Sequence, residues 1–581
     1  MQTIGRHDID VTAEELFQIA NETDGKQRTG PLANLDEKID VAIRSCLAAG
    51  YGAEDTDAGH AVFLRDAQDL VALAPDDLVD AHRFILSRGR SAYNPAPMTT
   101  ERQPERAQLE EVLSSLADPA LRYADIRYTA THQQHVKVRN GEVDHLSSTV
   151  DRAVGVRVLM GNGWGFAATS DVSAASLRKT ARRALEVAAA SNIASTQQVT
   201  LSDVEPYVAS AHSEYRIDPW SIPIGQKIDH LMQATEPMRG DARIHQVSGE
   251  ISCYRQEKLF ASNIGSFIEQ TTTQMGGGIE AVAIHGDDFQ RRTYPNPFGG
   301  DFQAEGWEFI ERLNMPAKAL EIRDEALALL VAPKAPAGRF DLIVGSAQLA
   351  LQVHESCGHP TELDRAMGLE ISLAGGSFLQ PSMLGTFRYG SPLVNLVADA
   401  TIPGSIGSFA FDDDGVPGQR FHLVENGIFV GYLTGRDTAS SIGRKSNGTV
   451  RAESAARIPI IRMTNINLEP GDTPLADIIA DTKRGIFVET NKSWSIDDLR
   501  LNFQFGCEVA WEIENGRLGR MLRNPLYTGN TPGFWRSCDA IADRDSWQIW
   551  GLPNCGKGDP MQTMRVAHGA PAARFRGVEM G

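Results

Sequence analysis

The chain is 581 residues long and 42% hydrophobic, enough for two or more domains with sizeable cores. Its 56 basic and 75 acidic side chains leave a formal charge of -19, which disfavours nucleic acid and anionic membrane as general partners. No apolar run approaches the roughly 18 residues of a membrane span, Met1–His7 lacks the apolar core of a signal peptide, and the six cysteines have no framework spacing, so a cytoplasmic, reducing setting is expected.

Residues 1–91 read as a helical module: Thr12 and Glu15 make a capping box ahead of Leu16 and Ile19, and apolar positions repeat from Leu35 to Leu47 until Gly50. Residues 92–104, with Asn94-Pro95-Ala96-Pro97, read as a linker. From Glu105 a helix leads into strands at 123–132 and 135–159, with a hairpin signal at Asn140-Gly141, and another helix is expected at 173–190. Residues 105–330 are therefore expected to form an α/β domain. Gly276-Gly277-Gly278 follows a Thr-rich strand and fits either a flexible loop or a place where an extended substrate passes close to the backbone.

The next segment carries the chemistry. Arg339–Gly345 reads as a short apolar strand, and Ser346–His354 has helical spacing at Ala347, Leu349, Ala350 and Val353. His354-Glu355-Ser356-Cys357-Gly358-His359 follows at once. Two imidazoles flanking a carboxylate suit a hydrolytic divalent metal, but their step is one residue longer than in an H-E-x-x-H helix. Five residues turn an α-helix by about 140°, so an undisturbed helix could not aim both rings at one ion. A π-bulge would realign them. Alternatively, Gly358 takes a left-handed conformation while Pro360 turns His359 away from helical geometry. Either route distorts the helix around Cys357 and Gly358.

A catalytic zinc site needs three protein ligands and one open position. Among Cys46, Cys253, Cys357, Cys507, Cys538 and Cys555, no pair is spaced as a CxxC clamp. Cys555 stands in a Gly-rich segment beside Lys557, which favours a thiolate, although an ordinary turn thiol fits as well. Cys357 is the weaker rival. Glu362 suits either a hydrogen bond that orients a ligating imidazole or, with Thr361, the start of a helix at Pro360, and Asp364 belongs to the same stretch. Arg451 and Arg462 suit a substrate carboxylate or structural ion pairs. Asp412-Asp413-Asp414-Gly415 lacks the further ligands of a calcium loop and reads as a tight acidic turn. Trp535, Trp547 and Trp550 read as core rather than cleft. Hairpin signals at Asn426-Gly427 and Asn515-Gly516 make residues 331–581 a β-rich domain. The expected fold class is α+β: the helical module, the α/β domain, then a largely antiparallel β domain carrying the distorted metal-binding helix.

His354-Glu-Ser-Cys-Gly-His-Pro-Thr-Glu362-Leu-Asp364 resembles the H-E-x-x-x-H-x-x-E-x-D signature of the TldD/PmbA family of metallopeptidases, in its TldD-like, metal-binding form. Further blocks resemble the family in the same order, among them Val397–Pro403, Ser408–Pro417, Arg451–Ser454, Pro459–Asn465 and Cys555-Gly-Lys557, with Tyr123–Arg127 and Gly155–Ala167 upstream. The resemblance spans about residues 105–581. It implies that His354, His359 and Cys555 hold the metal and that Glu355 acts as base on the attacking water. It also implies dimers, either homodimers or heterodimers with a PmbA/TldE-like subunit, whose enclosed site admits only unfolded or extended peptides. The ion would lower the pKa of water towards about 7 and polarise the scissile carbonyl, while a thiolate ligand would temper its Lewis acidity. The expected activity is zinc-dependent amide hydrolysis, with another divalent transition metal as an alternative ion. Two other readings are a hydrolase that tailors a small-molecule or peptide natural product and a non-catalytic scaffold that keeps its metal for folding.

Overall fold

The computed structural model describes residues 103–371 and 375–581. The helical module expected at 1–91, with Cys46, and the linker before Gln103 lie outside the described residues. The architecture is α+β, built on two large sheets.

The first sheet contains β1 (Leu121–Arg139), β2 (Glu142–Met160), β3 (Gly163–Thr169), β4 (Val208–His212), β5 (Ile244–Ser262), β6 (Phe267–His285), β7 (Asp288–Tyr294) and β8 (Asp301–Gln303). Their order is β3-β2-β1-β5-β6-β4, with β7 and β8 also paired to β6, and every pairing is antiparallel except β4 with β6. The β1–β2 turn places Asn140 at φ 51° and Gly141 at φ 86°, the double left-handed geometry for which this dipeptide is suited. One sequence expectation is corrected here. No break separates 132 from 135, because His132 to His135 pair with β2 on one side and β5 on the other, and their backbone needs are met within one long strand.

Side chains alternate along β1, and the alternation assigns its two faces. Ala124, Ile126, Tyr128 and Ala130 join a core with α1 (Arg106–Ser114) and α2 (Ala174–Ala194). Val136 and Val138, on the same parity, join a second core with α3 (Ile224–Thr235), α4 (Trp307–Leu313) and α5 (Met315–Val331). The odd-numbered residues point towards the C-terminal half. There Asp125 accepts from Arg157 at 2.8 Å, Arg157 donates to Asp414 at 2.6 Å, and the Ala455 N–H donates to Thr129 at 2.8 Å. The triplet Gly276–Gly278 lies inside β6 rather than in a loop. A Cβ on Gly276 would stand 2.2 Å from the Phe302 ring and one on Gly278 2.6 Å from Gly300, so close packing is what requires glycine.

In the second sheet β9 (Gly338–Val344) lies between Arg484–Ile496, its parallel neighbour, and the antiparallel strand Ala573–Met580. The turns at Asn426-Gly427 and Asn515-Gly516 join antiparallel strands, with positive φ at all four residues. Buried Glu508 ties the two sheets together. It accepts from Arg292 at 2.9 Å, from the Thr293 N–H at 2.9 Å and from Arg291 at 3.1 Å. After β9 the chain turns into α6 (Ser346–Val353), whose Leu349 and Val353 enter the largest core beside Trp535 and Tyr527. Among the described residues no helix is long and apolar enough to cross a membrane.

Candidate metal centre

Helix α6 is α-helical to Val353, then widens into a π turn over His354–Gly358 and tightens to a 3-10 turn over His359–Thr361. The wide turn brings the i and i+5 rings together, with centroids 4.7 Å apart and planes at 84°. Several bonds hold the irregular backbone. Tyr389 donates to the Ser356 carbonyl at 2.6 Å, while Thr361 donates to the carbonyls of Cys357 at 2.9 Å and Gly358 at 2.8 Å. Gly358 has φ -65°, so the left-handed route is not taken. Its glycine answers a different need, since a Cβ there would meet Met463 Sδ at 2.1 Å.

The ligand atoms of His354, His359 and Cys555 all lie within 4.8 Å of one another, and all three residues are buried. Cys555 Sγ is 3.9 Å from His359 Nε2. Two bonds of about 2.0 and 2.3 Å at a tetrahedral angle place an N and an S donor roughly 3.5 Å apart. No pair exceeds that separation by more than about 1.3 Å, so the three donors are compatible with one transition-metal ion. Cys555 comes from the ribbon Gln548–Lys557/Gln562–Ala570, which brings it against the helix from 196 positions downstream. The rival Cys357 points elsewhere: its sulfur accepts from Tyr389 at 3.0 Å, and burial pushes its thiol up to about 12.

Electrostatics suit the donors to metal. Burial drives both His354 and His359 down to about 4, leaving neutral imidazoles at ordinary pH. Burial raises the Cys555 thiol, but Arg462 and His359 outweigh it and the net shift is downward, towards thiolate. Arg462 also donates to the Cys555 and Gln562 carbonyls, so its contacts bind the ribbon together.

Each imidazole has a partner on its far nitrogen. Glu362 Oε2 lies 3.0 Å from His359 Nδ1 and accepts from Arg365 Nε at 2.6 Å, but it caps no backbone N–H of the turn that follows it. Burial would raise this carboxyl, yet Lys557, Arg365 and His359 hold it well below the usual range. Asp364 accepts from Lys557 at 2.8 Å on each oxygen and from the Arg365 N–H at 2.9 Å. On the other ring, His354 Nδ1 lies 2.7 Å from His568 Nε2, while His568 Nδ1 faces the Ile466 carbonyl at 3.2 Å. The sequence reading missed His568. In Val566-Ala567-His568-Gly569-Ala570 its only signal is one imidazole inside an apolar strand. Arg500 was missed too. It takes φ 63° and donates to Glu355 Oε2 at 3.2 Å.

The remaining candidates separate. Arg451 binds the Met463 and Arg565 carbonyls, and its Nε is buried without a hydrogen-bond partner among the described residues. Asp412 accepts from the N–H groups of Asp414, Val416 and Val450, and Asp413 pairs with Lys258, so this turn spends its carboxylates internally. Indole N–H groups of Trp535, Trp547 and Trp550 donate to Ser356, Leu468 and Ser346; Trp535 is a core residue, whereas Trp547 and Trp550 are half-buried and belong to no core cluster.

Family models described as PmbA/TldA metallopeptidase domain 1, central domain and C-terminal domain match residues 124–188, 217–330 and 337–581. A metalloprotease of Methanocaldococcus jannaschii is 32% identical over 72% of this chain and 89% of its own length. A TldD homologue from Haemophilus influenzae, also named a metalloprotease, is 28% identical over 79% of this chain and 92% of its own. The solved TldE of Thermococcus kodakarensis is similar in fold, with a TM-score of 0.61 and 18% identity over 82% of this chain and 100% of that one.

Proposed function

The chain belongs to the PmbA/TldA metallopeptidase family, also written TldD/PmbA, and on that premise we propose that it is a metal-dependent amide hydrolase acting on unstructured peptides. The observation that carries the reading is the convergence of His354, His359 and Cys555 beside the carboxylate of Glu355. We assign the first three as ligands. Nitrogen and thiolate donors in a buried, compact set favour Zn2+ over hard cations that prefer oxygen. Such an ion supplies Lewis acidity and lowers the pKa of water.

The protein's own groups do the rest. His568 and Glu362 hold the far nitrogens of the two rings, which turns Nε2 of each towards the metal position. Glu355 is left to take a proton from water and pass it to the leaving amine, with Arg500 steadying its carboxylate. Among the described residues the strand bearing Cys555 pairs with Gln562–Ala570, while Asp301 and Gln303 bond Gly551 and Ile549 on its other edge and Arg462 holds the Cys555 carbonyl. We further propose a cytoplasmic dimer, either with itself or with a PmbA/TldE-like subunit.

The test compares Glu355→Gln with wild type for metal content and for cleavage of unfolded peptides, with and without a TldE-like partner. The expected result is metal retained and turnover lost. Unchanged biological function in the variant would make the chain a metal-bearing scaffold, and cleavage of a small amide but no peptide would make it a tailoring hydrolase.

A further inference from the structure

Between β5, β6 and the C-terminal half lies a partly open cavity of about 40 Å³. That is several times the roughly 10–15 Å³ needed for one water, and enough for a carboxylate. Its wall carries Lys258, Arg451 and Arg565, a cluster of cations in a chain whose formal charge is -19. Lys258 is satisfied by Asp413 at 3.1 Å. The two arginines are not paired in this way.

Arg451 donates to the Arg565 and Met463 carbonyls and stands over the Phe409 ring at 5.1 Å, while its Nε has no partner among the described residues. Arg565 donates through Nε to Gln274 and lies over the Tyr254 ring at 4.7 Å. Its two terminal nitrogens make no hydrogen bond among the described residues. Neither guanidinium has a carboxylate within 4.0 Å among those residues, although Asp413 and Glu453 lie further off. Burial together with Arg462 pulls Arg451 down to about 9, the mark of a cation short of counter-charge. Leaving such groups unpaired in a sheltered place is costly unless a ligand completes them. A planar guanidinium with both terminal nitrogens open is the side chain best shaped to fork onto a carboxylate.

The cavity adjoins the metal centre. Met564, which lines it, is the cross-strand partner of Cys555, and directly opposed residues share one face of a ribbon. We propose that Arg565 and Arg451 form a carboxylate-binding subsite that anchors an acidic group of the peptide beside the metal centre. The assignment rests on the hydrolase reading for its biological sense, and it narrows the substrate class to peptides with a carboxylate near the scissile bond. That group is either the C-terminal α-carboxylate or an Asp or Glu side chain.

Binding read without turnover separates this idea from the hydrolase reading. Metal-loaded, full-length Glu355→Gln protein is titrated with three versions of one extended peptide: a neutral C-terminal amide, a free C-terminal acid, and an amide with one internal Glu. At least one acidic version should bind about tenfold or more tightly than the neutral one. A gain for the free acid alone identifies the α-carboxylate, and a gain for the Glu peptide identifies the side chain. Adding Arg565→Gln should abolish the preference, and Arg565→Lys should restore part of it, with melting temperature and metal content checking that each variant is folded. Equal binding of all three peptides, no binding of any, or a preference that survives Arg565→Gln overturns the subsite. If the preference is present but wild type cleaves none of the three, the hydrolase reading fails while the subsite stands.

Discussion

His568 Nε2 lies 2.7 Å from His354 Nδ1, and this pair decides which way the first ring of the metal centre points. The Ile466 carbonyl takes the Nδ1 hydrogen of His568, so its Nε2 is an acceptor and His354 must donate from Nδ1. His354 Nε2 is then a bare lone pair facing His359 and Cys555. His568→Phe should lower metal affinity by about 10- to 100-fold, measured by chelator competition, and His568→Gln should recover part of it. Equal affinity in wild type and His568→Phe would remove His568 from the centre.

Arg500 holds Glu355 from a left-handed backbone position. Glycine keeps that conformation at no steric cost, so Arg500→Gly isolates the side chain. Turnover should drop by about 10²-fold, the scale of a misplaced catalytic group, with metal content unchanged. Undiminished kcat would show that Glu355 needs no such partner.

Gly358→Ala would drive a methyl into Met463 Sδ. Overpacking of this kind costs about 1–3 kcal/mol, and here it displaces the turn that carries both rings. A lower melting temperature and reduced metal content are expected, with partial recovery on adding Met463→Ala. Failure of the second substitution to help would place the strain elsewhere.

Metal removal provides a separate check on the whole coordination set. An ion present at about 1,000 times its Kd stabilises the folded state by about 4 kcal/mol. Chelation should therefore lower the melting temperature of wild type but scarcely alter Cys555→Ala. An equal drop in both proteins would indicate a metal bound elsewhere.

Asp301 supplies a pH test remote from the ligands. Burial raises its carboxyl to about 7, against about 3.9 in an unfolded chain. Between those values the folded protein keeps a proton that the unfolded chain releases. Its contribution to stability is thus complete below about pH 4 and is lost as pH rises through 7. Asp301→Asn retains an acceptor for the N–H groups of Gly551 and Phe302 and cannot ionise. The variant's melting temperature relative to wild type should climb from pH 5 to pH 8, and a flat difference would contradict the assignment.

Local rules carried the sequence reading a long way. The five-residue step from His354 to His359 required a distorted helix, because the angular period of an α-helix leaves no alternative. Which distortion occurs was not legible, since the π turn depends on Tyr389, Trp535 and Met463 packing round it. Asn-Gly pairs located three hairpins through their left-handed preference alone. The polar run His132 to His135 misled because alternation within a strand paired on both edges has no need of an apolar residue at each step.

By itself, then, the sequence determined the motif's chemistry, the need to unwind one helix and the mixture of helix and antiparallel strand, all of which follow from neighbours a few residues apart. Tertiary structure alone decided that the sulfur from 196 positions away meets the second ring, that His568 from 214 positions away orients the first, and that two arginines share one cavity with no carboxylate among the described residues paired to them. Those relationships arise when separate sheets and a ribbon pack together, and no periodicity along the chain encodes the distance between them.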